Sequence, residues 1–225
     1  MDFCSIASGS SGNCIFVGTD HTNVLIDAGI SGKRVTEGLH AIDRDPKELD
    51  AILITHEHSD HIKGLGVLAR KYGIPVYSTQ GTIQTMLEQN MLGKVDSSLF
   101  HTVAPDIRFE IGELAVLPFR VSHDAAEPVA YRFSCGEKSV AVATDLGYYD
   151  DYIVDHLRGL DAVLIESNHD INMLQVGSYP YYLKQRILGR KGHLSNDNAG
   201  RLLGEILNDR MKAVMLGHLS RENNY

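Results

Sequence analysis

Residues Thr55-His56-Glu57-His58-Ser59-Asp60-His61 place three histidines and an aspartate within six consecutive positions. Neutral imidazoles and a carboxylate are ligands of borderline-hard divalent ions. Four of them in so short a stretch are too many for one tetrahedral ion, so the spacing points to two adjacent ions sharing it. The apolar run Ala51-Ile52-Leu53-Ile54 precedes the stretch and reads as a buried strand. Ile62, Leu65, Gly66, Leu68 and Ala69 follow it at helical spacing. The ligands therefore belong on a tight strand-to-helix loop, where functional groups gather. Solvated histidines on a polar loop are the bland alternative. Four ligand-type residues directly behind a hydrophobic strand weigh heavily against it.

The rest of the chain bounds the answer. Its 225 residues suffice for one large α/β domain over 1–225 with a substantial core. Net charge is −8, from 21 basic and 29 acidic residues. That disfavours broad, non-specific coating of nucleic acid. It does not exclude a metal-dependent nuclease, because bound ions supply positive charge locally. The N-terminus Met1-Asp2-Phe3-Cys4 lacks a basic leader and a long apolar core, so it does not read as a signal peptide. No run approaches the roughly 18 apolar residues of a membrane helix. Cys4, Cys14 and Cys135 are odd in number and lack CxxC spacing. They read as reduced, buried thiols of a cytoplasmic protein.

Three short strands are expected at 4–7, 14–18 and 23–27, the first two separated by the turn Ser8-Gly9-Ser10-Ser11-Gly12-Asn13. Ser31 is placed to cap a helix reaching Ile42. A strand over 75–78 and a helix from Thr79 to Met91 follow the metal loop and its helix. From Phe100 to Val142 the pattern is β-like, with a meander over 107–111, 114–121, 129–134 and 139–143. A helix over 149–157, a strand over 162–165, helices over 181–188 and 196–207 and a strand over 213–216 complete the reading. Periodicity alone gives an α/β protein.

Four more candidate ligands each terminate an apolar strand: His123, Asp145, Glu166 and His218. Strand ends along one rim of a sheet are where α/β folds assemble their sites. With these residues in place, the pattern H-x-H-x-D-H resembles the metallo-β-lactamase-fold hydrolases, over nearly the whole chain. The resemblance implies a four-layer αββα sandwich of two mixed sheets with a dinuclear metal site at one rim. It implies His56, His58 and His123 at one ion, Asp60, His61 and His218 at the other, and Asp145 bridging them. The oxygen-reducing diiron branch carries a carboxylate where this chain has His58, so the all-imidazole first site favours hydrolysis. The expected ions are zinc or manganese, with iron a third choice, and the residues alone do not separate them. His21, His40, His101 and His156 lack ligand context and read as surface residues.

Gly192-His193-Leu194-Ser195-Asn196 opens a helix, with Ser195 as its N-cap. The basic segment 184–191 precedes it. A helix start binds anions, and cationic side chains recruit phosphates. This region resembles the phosphodiesterase branch of the superfamily, in which a histidine here acts at the scissile phosphate and an upstream glutamate orients it. Glu166 of Glu166-Ser167-Asn168-His169 stands at the matching place. Asn168, His169, Ser195, Arg186, Arg190 and Lys191 are the expected substrate contacts. The bland readings are a solvated helix face and a capping turn.

Ala7-Ser8-Gly9-Ser10-Ser11-Gly12-Asn13-Cys14, Ser122-His123-Asp124-Ala125-Ala126-Glu127-Pro128, Glu166-Ser167-Asn168-His169-Asp170 and Gly192-His193-Leu194-Ser195-Asn196 together resemble the bacterial YycJ (WalJ) family. The gap of 218 − 145 = 73 positions is too short for the extra domain of β-CASP nucleases. Family resemblance implies double-strand DNA 5′-exonuclease activity on duplex ends, with repair proteins as partners. It also implies a further helix-forming stretch after Tyr225. The expected chemistry is in-line attack on phosphorus by a metal-activated hydroxide, with Asp60 taking a proton and His193, held by Glu166, serving the departing oxygen. Two rivals stand beside it: a hydrolase of a small ester, thioester, lactone or cyclic phosphodiester, and a non-catalytic metal-binding partner.

Overall fold

Alternating side chains along the strands set the layers of this molecule, whose computed structural model describes residues 1–224. The first half runs β1 (Asp2–Ala7), β2 (Cys14–Gly18), β3 (Asn23–Ile26), α1 (Gly32–His40), β4 (Ala51–Leu53), α2 (Ser59–Ile62), α3 (Leu65–Tyr72), β5 (Val76–Thr79), α4 (Gln80–Glu88) and β6 (Phe100–Val103). The second half runs β7 (Phe109–Ile111), β8 (Leu114–Arg120), β9 (Val129–Cys135), β10 (Lys138–Ala143), α5 (Asp151–Leu157), β11 (Ala162–Glu166), α6 (Ile171–Val176), α7 (Tyr181–Leu188), α8 (Asn196–Ile206) and β12 (Ala213–Gly217).

Each half makes one six-stranded sheet, ordered β1-β2-β3-β4-β5-β6 and β12-β11-β10-β9-β8-β7. Both sheets are mixed. The first three strands are antiparallel and β3 to β6 parallel. The meander β7 to β10 is antiparallel, and β10, β11 and β12 are parallel. Ile15, Val17, Val24, Ile26 and Leu53 face Val116, Tyr131, Phe133, Val142 and Leu164 across the space between the sheets. Their sequence neighbours Phe16, Leu25 and Ile52 point the other way, onto Val35, Leu39, Leu68 and Met86 of α1, α3 and α4. Ala141, Ala143, Val163 and Ile165 likewise cover Val154 and Leu157 of α5 and Leu202 and Ile206 of α8. The result is the expected helix–sheet–sheet–helix sandwich.

Several elements differ from the reading of the sequence. The head of the β-like stretch is a separate strand, β6, which pairs in parallel with β5 and closes the first sheet; the meander begins at β7, as expected. The helix behind the metal loop is two pieces, because Gly64 packs its backbone against Ile30. A Cβ there would meet the Ile30 carbonyl oxygen at 2.4 Å. α4 stops at Glu88 rather than Met91. Helix α6 was not anticipated; Asp170 caps it by accepting from the Met173 amide. Ser31 and Ser195 cap their helices as anticipated. His156 is not a surface residue but half-buried, its ring stacked on Phe119 at 4.9 Å. Of the three free cysteines only Cys14 is buried. Among the described residues no helix is long and apolar enough to cross a membrane.

Candidate metal centre

Six strands deliver their C-terminal ends to one rim. Asp27 follows β3, His56 to His61 follow β4, His123 follows β8, Asp145 follows β10, Glu166 ends β11 and His218 follows β12. Parallel pairing of β3 with β4, of β10 with β11 and of β11 with β12 makes these ends coincide. Asp27, Asp145 and His218 leave their strands in left-handed backbone, at φ 61°, 56° and 53°. That conformation is costly for non-glycine residues and turns up where surrounding structure fixes a functional side chain.

The side chains converge. Donor atoms of His56, His58 and His123 lie within 4.8 Å of one another, and so do those of Asp60, His61 and His218. Asp145 faces both groups: Oδ2 is 3.1 Å from His61 Nε2, and Oδ1 is 3.5 Å from His123 Nε2 and 3.7 Å from His218 Nε2. His58 presents Nδ1, 3.3 Å from His123 Nε2.

A second ring of contacts fixes which nitrogen each imidazole offers. His61 Nδ1 donates to Asp27 Oδ2 at 2.7 Å, and His123 Nδ1 donates to the Gly192 carbonyl at 3.1 Å. The Thr55 hydroxyl donates to Asp27 and takes His56 Nδ1 at 3.0 Å. Glu166 is fully engaged. Oε1 accepts from Nδ1 of both His193 and His218 at 2.8 Å, while Oε2 accepts the amides of Leu146 and Leu194. Carboxylates and carbonyls only accept, so in each case the proton sits on Nδ1 and Nε2 is left facing the cluster. Such outer contacts orient metal-binding histidines.

Electrostatics follow the same geometry. Burial, with His61 beside it, keeps His56 well below the usual imidazole range. Burial opposes charge on His61, but Asp27 and Asp145 outweigh it and hold its pKa well above that range. Burial likewise opposes charge on His218, yet Asp145, Asp60 and Glu166 bring it up to about 10. Burial pushes the Glu166 carboxyl up, while His193 and His218 outweigh it and bring it down to about 2. Two buried atoms in the middle of the cluster, His56 Nε2 and Asp145 Oδ2, make no hydrogen bond among the described residues, Asp145 Oδ2 facing His61 Nε2 at 3.1 Å as an ion-pair contact only. Buried polar atoms are rarely left so. An orphaned imidazole nitrogen and carboxylate oxygen, flanked by like donors, fit divalent cations.

A cleft of about 210 Å³ opens over the cluster, lined by His58, Asp60, Asp145 and His218 and also by Asn168, Arg186 and His193. The other expected substrate contacts lie elsewhere. His169 is buried beside Asn168, outside the cleft; its backbone bridges to Ser195 across the start of α8. The Ser195 side chain is buried and occupied in capping α8. The Arg190 guanidinium stacks on Tyr148, 3.8 Å from the ring centre. Lys191 lines a neighbouring cavity. Arg186 pairs with Asp124 at 2.5 Å. Two further buried residues support the site without being among its expected ligands or substrate contacts. Asp27 ends an apolar strand just as Asp145 does, and that position was the available signal. Glu57 is buried and accepts the Ala126 amide at 2.8 Å, a tie across 69 positions that no local pattern announces.

A family profile described as Beta-lactamase superfamily domain matches residues 22–218. The chain is 48% identical over 219 residues to Exodeoxyribonuclease WalJ of Streptococcus pneumoniae (strain D39), covering 97% of this chain and 81% of that protein. It belongs to the WalJ/YycJ family of the metallo-β-lactamase superfamily. Exodeoxyribonuclease YycJ of Bacillus anthracis is 42% identical over 226 residues, covering all of this chain and 84% of the relative. Among solved structures, Zn(2+)-bound PqqB from Methylobacterium extorquens superposes with a TM-score of 0.74 at 18% identity, over 99% of this chain and 90% of that one. The short form of human tRNase Z gives 0.73 at 16% identity, over 98% and 93%. At such identities these two bear on the fold alone. The family, its fold and the histidine–aspartate groups together mark the WalJ/YycJ cluster as a site for divalent metal.

Proposed function

We propose that this WalJ/YycJ-family chain is a metal-dependent exodeoxyribonuclease that hydrolyses phosphodiester bonds from the 5′ end of duplex DNA. The observation that carries the reading is the joining of two ligand groups and a Glu166-held His193 in one cleft. It sits in a chain nearly half identical to a relative named an exodeoxyribonuclease. His56, His58 and His123 would hold one divalent ion, Asp60, His61 and His218 a second, and Asp145 would stand between them. Imidazole-rich sites suit zinc, and manganese is the alternative to be tested beside it. Such ions supply Lewis acidity toward the phosphodiester and lower the pKa of water.

The chain's own residues carry the proton and position the substrate. Asp60, half-buried and held by its contacts with His61 and His218 well below the usual carboxylate range despite burial, is ionised at neutral pH. One of its oxygens accepts the proton from the attacking water. His193 offers Nε2 to the cleft because Nδ1 is committed to Glu166. Glu166 also outweighs the effect of burial and raises the His193 pKa, which favours a protonated ring that donates to the departing oxygen. Arg186 lines the cleft and is more than half exposed, so its guanidinium can exchange Asp124 for a backbone phosphate.

Digestion of 5′-labelled and 3′-labelled duplex DNA with manganese present, wild type beside Asp60→Ala, tests this reading. Release of the 5′ label that disappears in the variant is the expected result. A protein carrying two metals per chain that cleaves neither duplex would instead be a hydrolase of a small ester or cyclic phosphodiester.

A further inference from the structure

A second cavity, of about 490 Å³, shares His123 with the metal cleft. It lies between the loop Ser122–Pro128 and the start of α5, with Ala126, Tyr148, Tyr152, Ile153 and Lys191 in its wall. None of these residues belongs to the ligand set, and the proposed reaction does not use them. The volume lies within the range of roughly 300–1,000 Å³ typical of small-molecule pockets.

The wall is rigid where it meets the metal cluster. Ser122 Oγ donates to the Arg190 carbonyl at 2.8 Å, and the Gly147 amide donates to the Ser122 carbonyl at 2.9 Å. A Cβ on Gly147 would meet the Arg190 carbonyl oxygen at 2.3 Å, so the close approach requires glycine. His123 hangs from the Gly192 carbonyl in the same seam, and His193 follows Gly192 directly, its ring 5.2 Å from that of His123. The cavity therefore opens beside the histidine that serves the departing oxygen.

Its chemistry suits an aromatic, nearly neutral group. Tyr148 is a stacking surface already braced by Arg190 on its ring. Tyr152 is fixed by donating to Asp106 Oδ1 at 2.6 Å and accepting the Arg120 amide at 3.0 Å. Arg120 is neutralised by Asp106. That leaves Lys191, with no ion pair among the described residues, against Asp150, one of whose oxygens caps α5. The remaining Asp150 oxygen can accept from an amino or hydroxyl group. A balanced, aromatic wall takes a base and sugar, while the phosphate stays over the metal cluster.

We infer that this cavity is the pocket for the terminal nucleoside of the strand being degraded, the one attached through the departing oxygen. The inference rests on the nuclease reading and adds to it a reason for cutting at an end. The test uses metal-loaded protein and two duplexes that differ only at the terminal nucleotide, which carries either a base or a tetrahydrofuran abasic analogue. Binding of deoxyadenosine 3′-monophosphate and of the 3-phosphate of the tetrahydrofuran abasic analogue is measured alongside by equilibrium dialysis. The wild type should prefer the base-bearing end and the base-bearing ligand, each by roughly tenfold or more. Tyr148→Ala should bring both ratios close to one. Ala126→Trp, which fills the cavity from an exposed position, should do the same. Ratios of one in the wild type, or ratios kept in both variants, overturn the pocket and leave the nuclease reading intact. If neither duplex is cut but the ligand preference is present and lost in the variants, the pocket stands and the nuclease reading falls.

Discussion

Asp27 Oδ2 lies 2.7 Å from Nδ1 of His61, and both side chains are closed off from solvent. The contact turns His61 Nε2 toward Asp60 and Asp145. Removing such an outer partner of a metal-binding histidine typically costs 10–100-fold in metal affinity. Asp27→Ala should therefore bind zinc roughly 10–100-fold more weakly than wild type in a chelator-competition titration. Unaltered affinity would show that the His61 ring is oriented by its ligand role alone.

The Glu166–His218 pair predicts how the metal-free protein responds to pH. Glu166 falls from an ordinary 4.5 to about 2, so its contribution is complete above 4.5 and is lost as pH falls through about 2. His218 rises from 6.5 to about 10, so its contribution is complete below 6.5 and is lost as pH climbs through about 10. Chelator-treated protein should have its highest melting temperature between pH 4.5 and 6.5 as far as these two groups decide it. Glu166→Gln should flatten the acid limb of the profile. The alkaline limb should also vanish when metal is restored, because ligation holds His218 neutral. Melting curves of both proteins from pH 3 to 10 check this, and an acid limb equally steep in the variant contradicts it.

The fold and most of the cluster were legible because their signals are local. Apolar runs ending in His or Asp mark β4, β8, β10 and β12, and one short motif holds four candidate ligands. What escaped was set by long-range packing. β6 has the same pattern as the meander strands, and only its parallel partner β5 assigns it to the other sheet. His169 and Ser195 look like pocket residues in sequence, yet the bridge between them folds both inward. Arg190 and Lys191 are adjacent cations, and only the fold separates a ring-stacked guanidinium from an ammonium in a cavity wall with no ion pair among the described residues. Much of the basic segment 184–191 is structural: Lys184 donates to the carbonyls of Gln175 and Gly177, and Arg190 stacks on Tyr148, which leaves Arg186 to face the cleft.

Gly29 offers a test of how tightly the metal loop is held from below. The Asn13 amide donates to the Asp60 carbonyl at 2.8 Å, and the Gly29 amide donates to the Asn13 carbonyl at 2.7 Å. A Cβ on Gly29 would fall 1.5 Å from the Asp60 carbonyl oxygen, on backbone that cannot rotate away. Overpacking of this kind typically costs about 1–3 kcal/mol. Gly29→Ala should lower stability by at least that much in urea and should displace Asp60, reducing metal content below wild type. A variant with wild-type metal content and stability would mean that the β3 and β4 loops separate easily.

His58 and His193 line the same cleft but should fail differently when removed. His58 offers Nδ1 to the group formed with His56 and His123, and its ring packs edge-on to His56 at 4.6 Å. His193 is committed through Nδ1 to Glu166 and stands beside the cluster. His58→Ala should lose metal first, with turnover falling as occupancy falls and partly restored by excess ion. His193→Ala should keep near wild-type metal content and lose turnover by roughly 10²–10⁴-fold, the scale of a missing proton donor. The loss should shrink on a substrate whose departing oxygen needs no proton, such as a p-nitrophenyl phosphodiester. Metal analysis beside rates on both substrates separates the cases. Loss of metal in His193→Ala would make it a ligand, and equal losses on the two substrates would remove its role at the departing oxygen.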